Sequence, residues 1–119
     1  MAEKIIQTAG RDALGAFAPE FAHYNDDILF GENWNNQDID VKTRSIITVV
    51  ALMSSGITDS SLVFHLQNAK NHGVTKKEIA AIITHVAFYA GWAVFNLAKD
   101  VWKEDADETV SDEENGRLK

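Results

Sequence analysis

The chain has 119 residues, 45% of them apolar, a formal net charge of −7 and no cysteine. That size suits one core burying about two thirds of the unfolded surface, and the missing cysteines exclude disulfides, thiolate metal sites and cysteine nucleophiles. The longest apolar runs, Val49 to Met53 among them, are far short of the ~20 residues of a membrane helix, and no basic stripe points to nucleic acid.

The N-terminus, "MAEKIIQTAG", lacks the basic start and long apolar centre of a signal peptide, so a cytoplasmic protein is expected. With a single proline and apolar residues at helical spacing, the fold class reads as all-α, a small bundle of about six helices. A first helix from about Glu3 to Ala16 would place Ile5, Ile6, Ala9, Ala13 and Phe17 on one side. Pro19 suits the first turn of a second helix, to about Leu29, where its missing N–H costs nothing. The stretch "GENWNNQDID", Gly31 to Asp40, reads as a loop.

Asp40 can cap a third helix, Val41 to Ser54. Its apolar residues Ile46, Ile47, Val49, Val50, Leu52 and Met53 cover nearly the whole circumference, which predicts a central buried helix. Thr58 or Asp59 can cap a fourth helix that runs to about His72 and ends at Gly73. Thr75 and Glu78 have the spacing of a capping box opening a fifth helix, with Ile79, Ile82, Ile83, Val86 and Ala90 on one face. Gly91 would interrupt it, with a further helical piece from Trp92 to Lys103. Residues 1–103 thus read as one all-helical domain, and residues 104–119, which include "EDADETVSDEE", as an acidic, solvated tail.

Histidine is the natural candidate for proton transfer near neutral pH. His23 and His72 lie near helix ends and read as solvated or capping rings. His65 shares its helical face with Leu62, Leu66 and Ala69, so its ring points toward the core or a pocket, as a packed or a catalytic group. His85 stands four residues before Tyr89, which brings both polar tips to one groove. Arg44 precedes the apolar part of the third helix and can grip a carboxylate in bidentate fashion. No histidine or acidic cluster has metal-ligand spacing, so no metal is expected.

Several landmarks in order, Gly31 and Trp34, Thr43-Arg44-Ser45, His65, "GVTKKEI" and "ITHVAFYAGW", resemble the carboxymuconolactone decarboxylase family over residues 31–95. The resemblance implies a helical subunit in a homohexamer, commonly a trimer of dimers, and two chemical branches. One decarboxylates 4-carboxymuconolactone without metal or organic cofactor. The other, like the alkyl hydroperoxide reductase accessory protein, uses a Cys-x-x-Cys pair four residues before a histidine. Thr58 and Ser61 occupy those cysteine positions here and His65 the histidine position. A serine hydroxyl cannot form a disulfide or reduce a peroxide, so the redox branch is disfavoured. Ser45, Ala81 and Ala93 also replace an acid, a second glutamate and a proline usual in the family.

The decarboxylase branch implies a small carboxylated lactone as substrate and no cofactor. In that reading Arg44 anchors the substrate, His65 transfers the proton, His85 and Tyr89 stabilise the oxyanion, and Trp34, Trp92, Ser61 and Thr58 line the pocket. Glu78 is assigned to the capping box. The alternatives are a related reaction on another small carboxylated substrate, and a non-catalytic hexamer that binds a small ligand.

Overall fold

The computed structural model describes residues 4–90 and 94–103. They form helices α1 (Ala9–Leu14), α2 (Pro19–His23), α3 (Val41–Ser54), α4 (Ser60–Asn71), α5 (Lys76–Ala90) and α6 (Val94–Val101), and a π-helix, Tyr24–Asn33, that continues α2. No strand occurs among the described residues, in keeping with an all-α fold. The chain divides into two compact units, residues 1–44 and 45–119. The expected tail and the break at Gly91 lie outside the described residues.

The first unit departs most from expectation. Helix begins only at Ala9: one long-range partner claims the backbone at Ile5 before it, and another receives the amides of its first turn. The Asn35 amide accepts from the Ile5 N–H at 2.6 Å and donates to the Ile5 carbonyl at 2.8 Å. Asp26, only 2% exposed, accepts the amide N–H groups of Gly10 and Arg11 at 2.8 and 2.9 Å. Such partners outweigh the weak propensity of a glycine-containing segment. Ile6 and Phe17, expected on a buried side, are 81% and 89% exposed.

Pro19 does open α2. The chain then passes through the π-helix instead of stopping, so Gly31, Glu32 and Asn33, expected in a loop, are helical. Ala22, Asp26, Phe30 and Trp34 are all buried, four residues apart. Positions four apart share one face of a helix, which lets these side chains turn inward together. Phe30 and Trp34 stack at 5.7 Å with ring planes 14° apart.

The second unit follows the sequence closely. Its core is Val49, Met53, Leu62, Leu66, Ala69, Val74, Ile79, Ile83, Ala98 and Trp102. Helix α3 has the expected bounds and cap, with the Thr43 N–H donating to Asp40 Oδ1 at 2.7 Å. Its burial is one-sided, however: Ser45, Val49 and Met53 face inward, while Ile47 is 52% exposed. Asp59, the second of the two candidate caps, receives the Ser61 N–H at 2.9 Å and starts α4.

Gly73, at φ +96°, turns the chain out of α4 in the left-handed conformation that favours glycine. The capping box then opens α5: Thr75 N–H donates to Glu78 Oε1 at 2.9 Å, and Glu78 N–H to Thr75 Oγ1 at 3.1 Å. Ile79 and Ile83 are buried, whereas Ala90, predicted on the same stripe, is exposed. Helix α6 packs on α4 and α5, and the Trp102 indole N–H that follows it donates to the Val74 carbonyl at 3.1 Å.

Candidate functional site

The candidate residues fall on both units, and each unit sets its own geometry. In the first, the Arg44 guanidinium is turned onto the loop before α3. Its Nε and Nη2 donate to the Asn36 carbonyl at 3.3 and 3.0 Å, and Nη2 to Asn36 Oδ1 at 3.1 Å. That contact holds the planar fork in a defined orientation. Trp34 lies buried against Phe30, so its indole is fixed by packing.

In the second unit, the first two turns of α4 present Ser61 and His65, and exposed Thr58 precedes them. Asp59 is what positions them, because capping by its carboxylate fixes where the helix starts. His65 is half-buried beside Leu62 and Leu66, which are fully buried, with its Nδ1 enclosed and its ring edge-on to Phe64 at 5.0 Å. Burial pushes the His65 pKa below the ordinary 6.5, because an imidazolium loses solvation there. At neutral pH the ring is therefore uncharged.

His85 and Tyr89 lie one turn apart on α5, ring centroids 5.5 Å apart and planes tilted by 39°. Tyr89 is 82% and neighbouring Phe88 85% exposed, so this pair lies on an open aromatic face. Trp92 lies outside the described residues. Within the second unit, then, the structure pairs His85 with Tyr89 and sets Ser61 one turn from His65. No group of histidine and acidic residues able to hold a metal ion is found among the described residues.

One polar pair was missed by sequence reasoning. His72, read as a solvated or capping ring, places Nδ1 3.0 Å from the Oγ of Ser45, a serine 1% exposed in the core face of α3. Burial again pushes the histidine pKa down. A serine among apolar residues at the start of a buried helix was the available signal, since buried hydroxyls take partners, but the partner's identity rests on a tertiary contact 27 residues away.

A helical chain with a half-buried histidine set into an apolar helix face, and with no cysteine in its sequence, is a small all-α protein. Comparison sharpens this: the family model of the carboxymuconolactone decarboxylase family matches residues 19–104. A 4-carboxymuconolactone decarboxylase from Acinetobacter baylyi is 33% identical over 95 residues, spanning 76% of this chain and 70% of that protein. An uncharacterized 15.0 kDa protein encoded in the nqo9-nqo10 intergenic region of Paracoccus denitrificans is 26% identical over 111 residues, 89% of this chain and 74% of its own. The chain belongs to the carboxymuconolactone decarboxylase family.

Proposed function

We propose that this protein is a carbon–carbon lyase that decarboxylates 4-carboxymuconolactone or a closely related small carboxylated lactone, without metal or organic cofactor. The observation that carries the reading is the 33% identity to a protein of that named activity over most of both chains. The cysteine-free sequence leaves no thiol for the family's redox branch.

The reaction breaks the bond between the ring carbon and its carboxylate. Carbon dioxide leaves, the electron pair enters the lactone system as an enolate, and a proton is then added at carbon. Arg44, whose planar fork suits a carboxylate, orients the substrate. His65 relays the proton: uncharged at rest, it takes one from solvent and, as an imidazolium made more acidic by burial, delivers it to carbon. His85 and Tyr89 donate to the enolate oxygen, with Thr58 and Ser61 lining the pocket.

That assignment asks for His85 and Tyr89 to be shielded from water. A homohexamer, built as a trimer of dimers, meets the need by covering the face that carries Phe88 and Tyr89, since rings at this exposure mark interaction surfaces. A cytoplasmic location is proposed with it. No helix among the described residues is long and apolar enough to cross a membrane.

The test is turnover of the lactone with chelator present and no thiol added. His65→Ala should lose at least about a hundredfold in kcat, and equal activity removes His65 from the mechanism. One observation favours a second reading, binding without catalysis: Ser45, Ala81 and Ala93 stand where the family usually has an acid, a second glutamate and a proline. Thermal stabilisation by the lactone without its conversion would establish that reading instead.

A further inference from the structure

Helix α6 has a cleft along each side. The one against α4, about 450 Å³, mixes Lys70, Asp100 and Lys103 with apolar residues. The one against α5 is smaller, about 90 Å³, and differs in chemistry: Ile79, Phe95, Ala98 and Trp102 form its walls, and Lys76 and Lys99 are the charged residues that line it. No carboxylate lines this second slot among the described residues, and neither His65, His85 nor Tyr89 belongs to it.

We propose that the α5–α6 slot is a binding site for a small organic carboxylate with a compact apolar body, separate from the site carrying His65. An apolar slot bordered by two cations selects against both simpler ligands. A neutral hydrocarbon gains nothing from the ammonium groups, and a bare inorganic anion gains nothing from the walls. Lysine stems lie along apolar surface while their charged ends stay near water, so the carboxylate sits at the mouth with the apolar body beneath it.

The walls are set before binding. Trp102 is 1% exposed and fixed by its bond to the Val74 carbonyl, while Ile79 and Ala98 belong to the core, so little ordering cost falls on the protein. Volume limits the guest. A cavity of about 150 Å³ encloses a benzene ring, so a slot of about 90 Å³ holds one ring edge or a branched aliphatic end and leaves the remainder in solvent. Affinity in the millimolar range follows from so partial a burial.

The experiment is an NMR titration of the full chain with benzoate and, separately, with its uncharged counterpart benzamide. Benzoate should shift the Trp102 indole N–H and the Ile79 and Ala98 methyl signals, and should bind at least about threefold more tightly than benzamide. Lys76→Gln and Lys99→Gln should each weaken benzoate about threefold to fivefold, in the range of partly screened charge pairs, with unchanged spectra elsewhere showing that the fold is kept. Equal binding of benzamide, shifts centred on His65, or no shift at about 20 mM benzoate overturns the proposal. Slot signals that respond to salt alone, or to protein concentration alone, also overturn it. They would identify the occupant as the acidic stretch Glu104–Glu114 of this chain or as a second copy. The lactone assay is independent of this outcome, so failure here leaves the decarboxylase reading intact.

Discussion

Glu78 offers the sharpest test of structural against catalytic assignment, because it is an acid on the helix that carries His85. Its Oε1 accepts the Thr75 N–H and its own N–H donates to Thr75 Oγ1, so two amides at the start of α5 depend on one reciprocal pair. Thr75→Ala removes the cap oxygen and should cost about 1 kcal/mol. In a domain of this size that is a fall in Tm of about 4 °C. Glu78→Ala removes the other bond, at a similar or smaller cost because the freed amide is open to water. Glu78→Gln keeps an acceptor oxygen and should stay within about 0.5 kcal/mol of the parent. Urea unfolding measures the stabilities and lactone turnover the chemistry. The structural assignment expects Glu78→Gln to retain its rate within about threefold. A hundredfold loss of kcat at full stability would make Glu78 a proton-transfer group and refute the argument.

Other expectations follow from the same packing. Leu66→Ala, at a fully buried core position, should cost about 2–5 kcal/mol and shows as a lower urea midpoint. Gly10→Ala would bring a Cβ within 2.7 Å of Asp26 Oδ1 and 3.1 Å of the Ala22 carbonyl oxygen, which should destabilise the first unit by about 1–3 kcal/mol and raise hydrogen exchange at the Gly10 and Arg11 amides. Stability should fall in two stages on acidification. His65 and His72 have folded pKa values below 6.5, so below pH 6.5 the unfolded chain takes up protons that the folded chain does not, and stability drops until the folded values are reached. Asp26 and Asp27 have folded values below 3.8. For Asp26, burial opposes ionisation but is outweighed by Asn25 and by the amides of Arg11 and Gly10. For Asp27, the bonds from Arg11 and His23 hold the charge. Their share is present above pH 3.8 and is lost below it. His65→Gln should reduce the first stage to the share of His72 and leave the second, as read by unfolding midpoints across pH.

What could be read from the sequence was local chemistry. The Thr75–Glu78 box, Asp40 and Asp59 as caps, Gly73 as a stop and Pro19 as a start all act within a few residues of themselves, and each stands in the structure. The failures came where distant partners decided. Ile5 looked helical until Asn35 took its amide, and His72 looked like a solvated or capping ring until Ser45 met it. Ile47 looked central because periodicity counts apolar residues and cannot say which of them one chain covers. The pairing of His85 with Tyr89 was legible from their spacing of four, whereas the turning of Arg44 onto Asn36 was not, since it depends on the loop between them.

The π-helix at Tyr24–Asn33 changes how insertions should be understood in this part of the chain. Its buried residues Asp26 and Phe30 continue a four-residue spacing that starts at Ala22 in α2 and ends at Trp34 just beyond it. Removing one residue would let the backbone relax to the α-helical pitch and swing Phe30 and Trp34 around the axis, away from the carboxylate that anchors Gly10 and Arg11. A one-residue length difference here is therefore a change of helix type, paid out as rotation instead of as a longer or shorter loop.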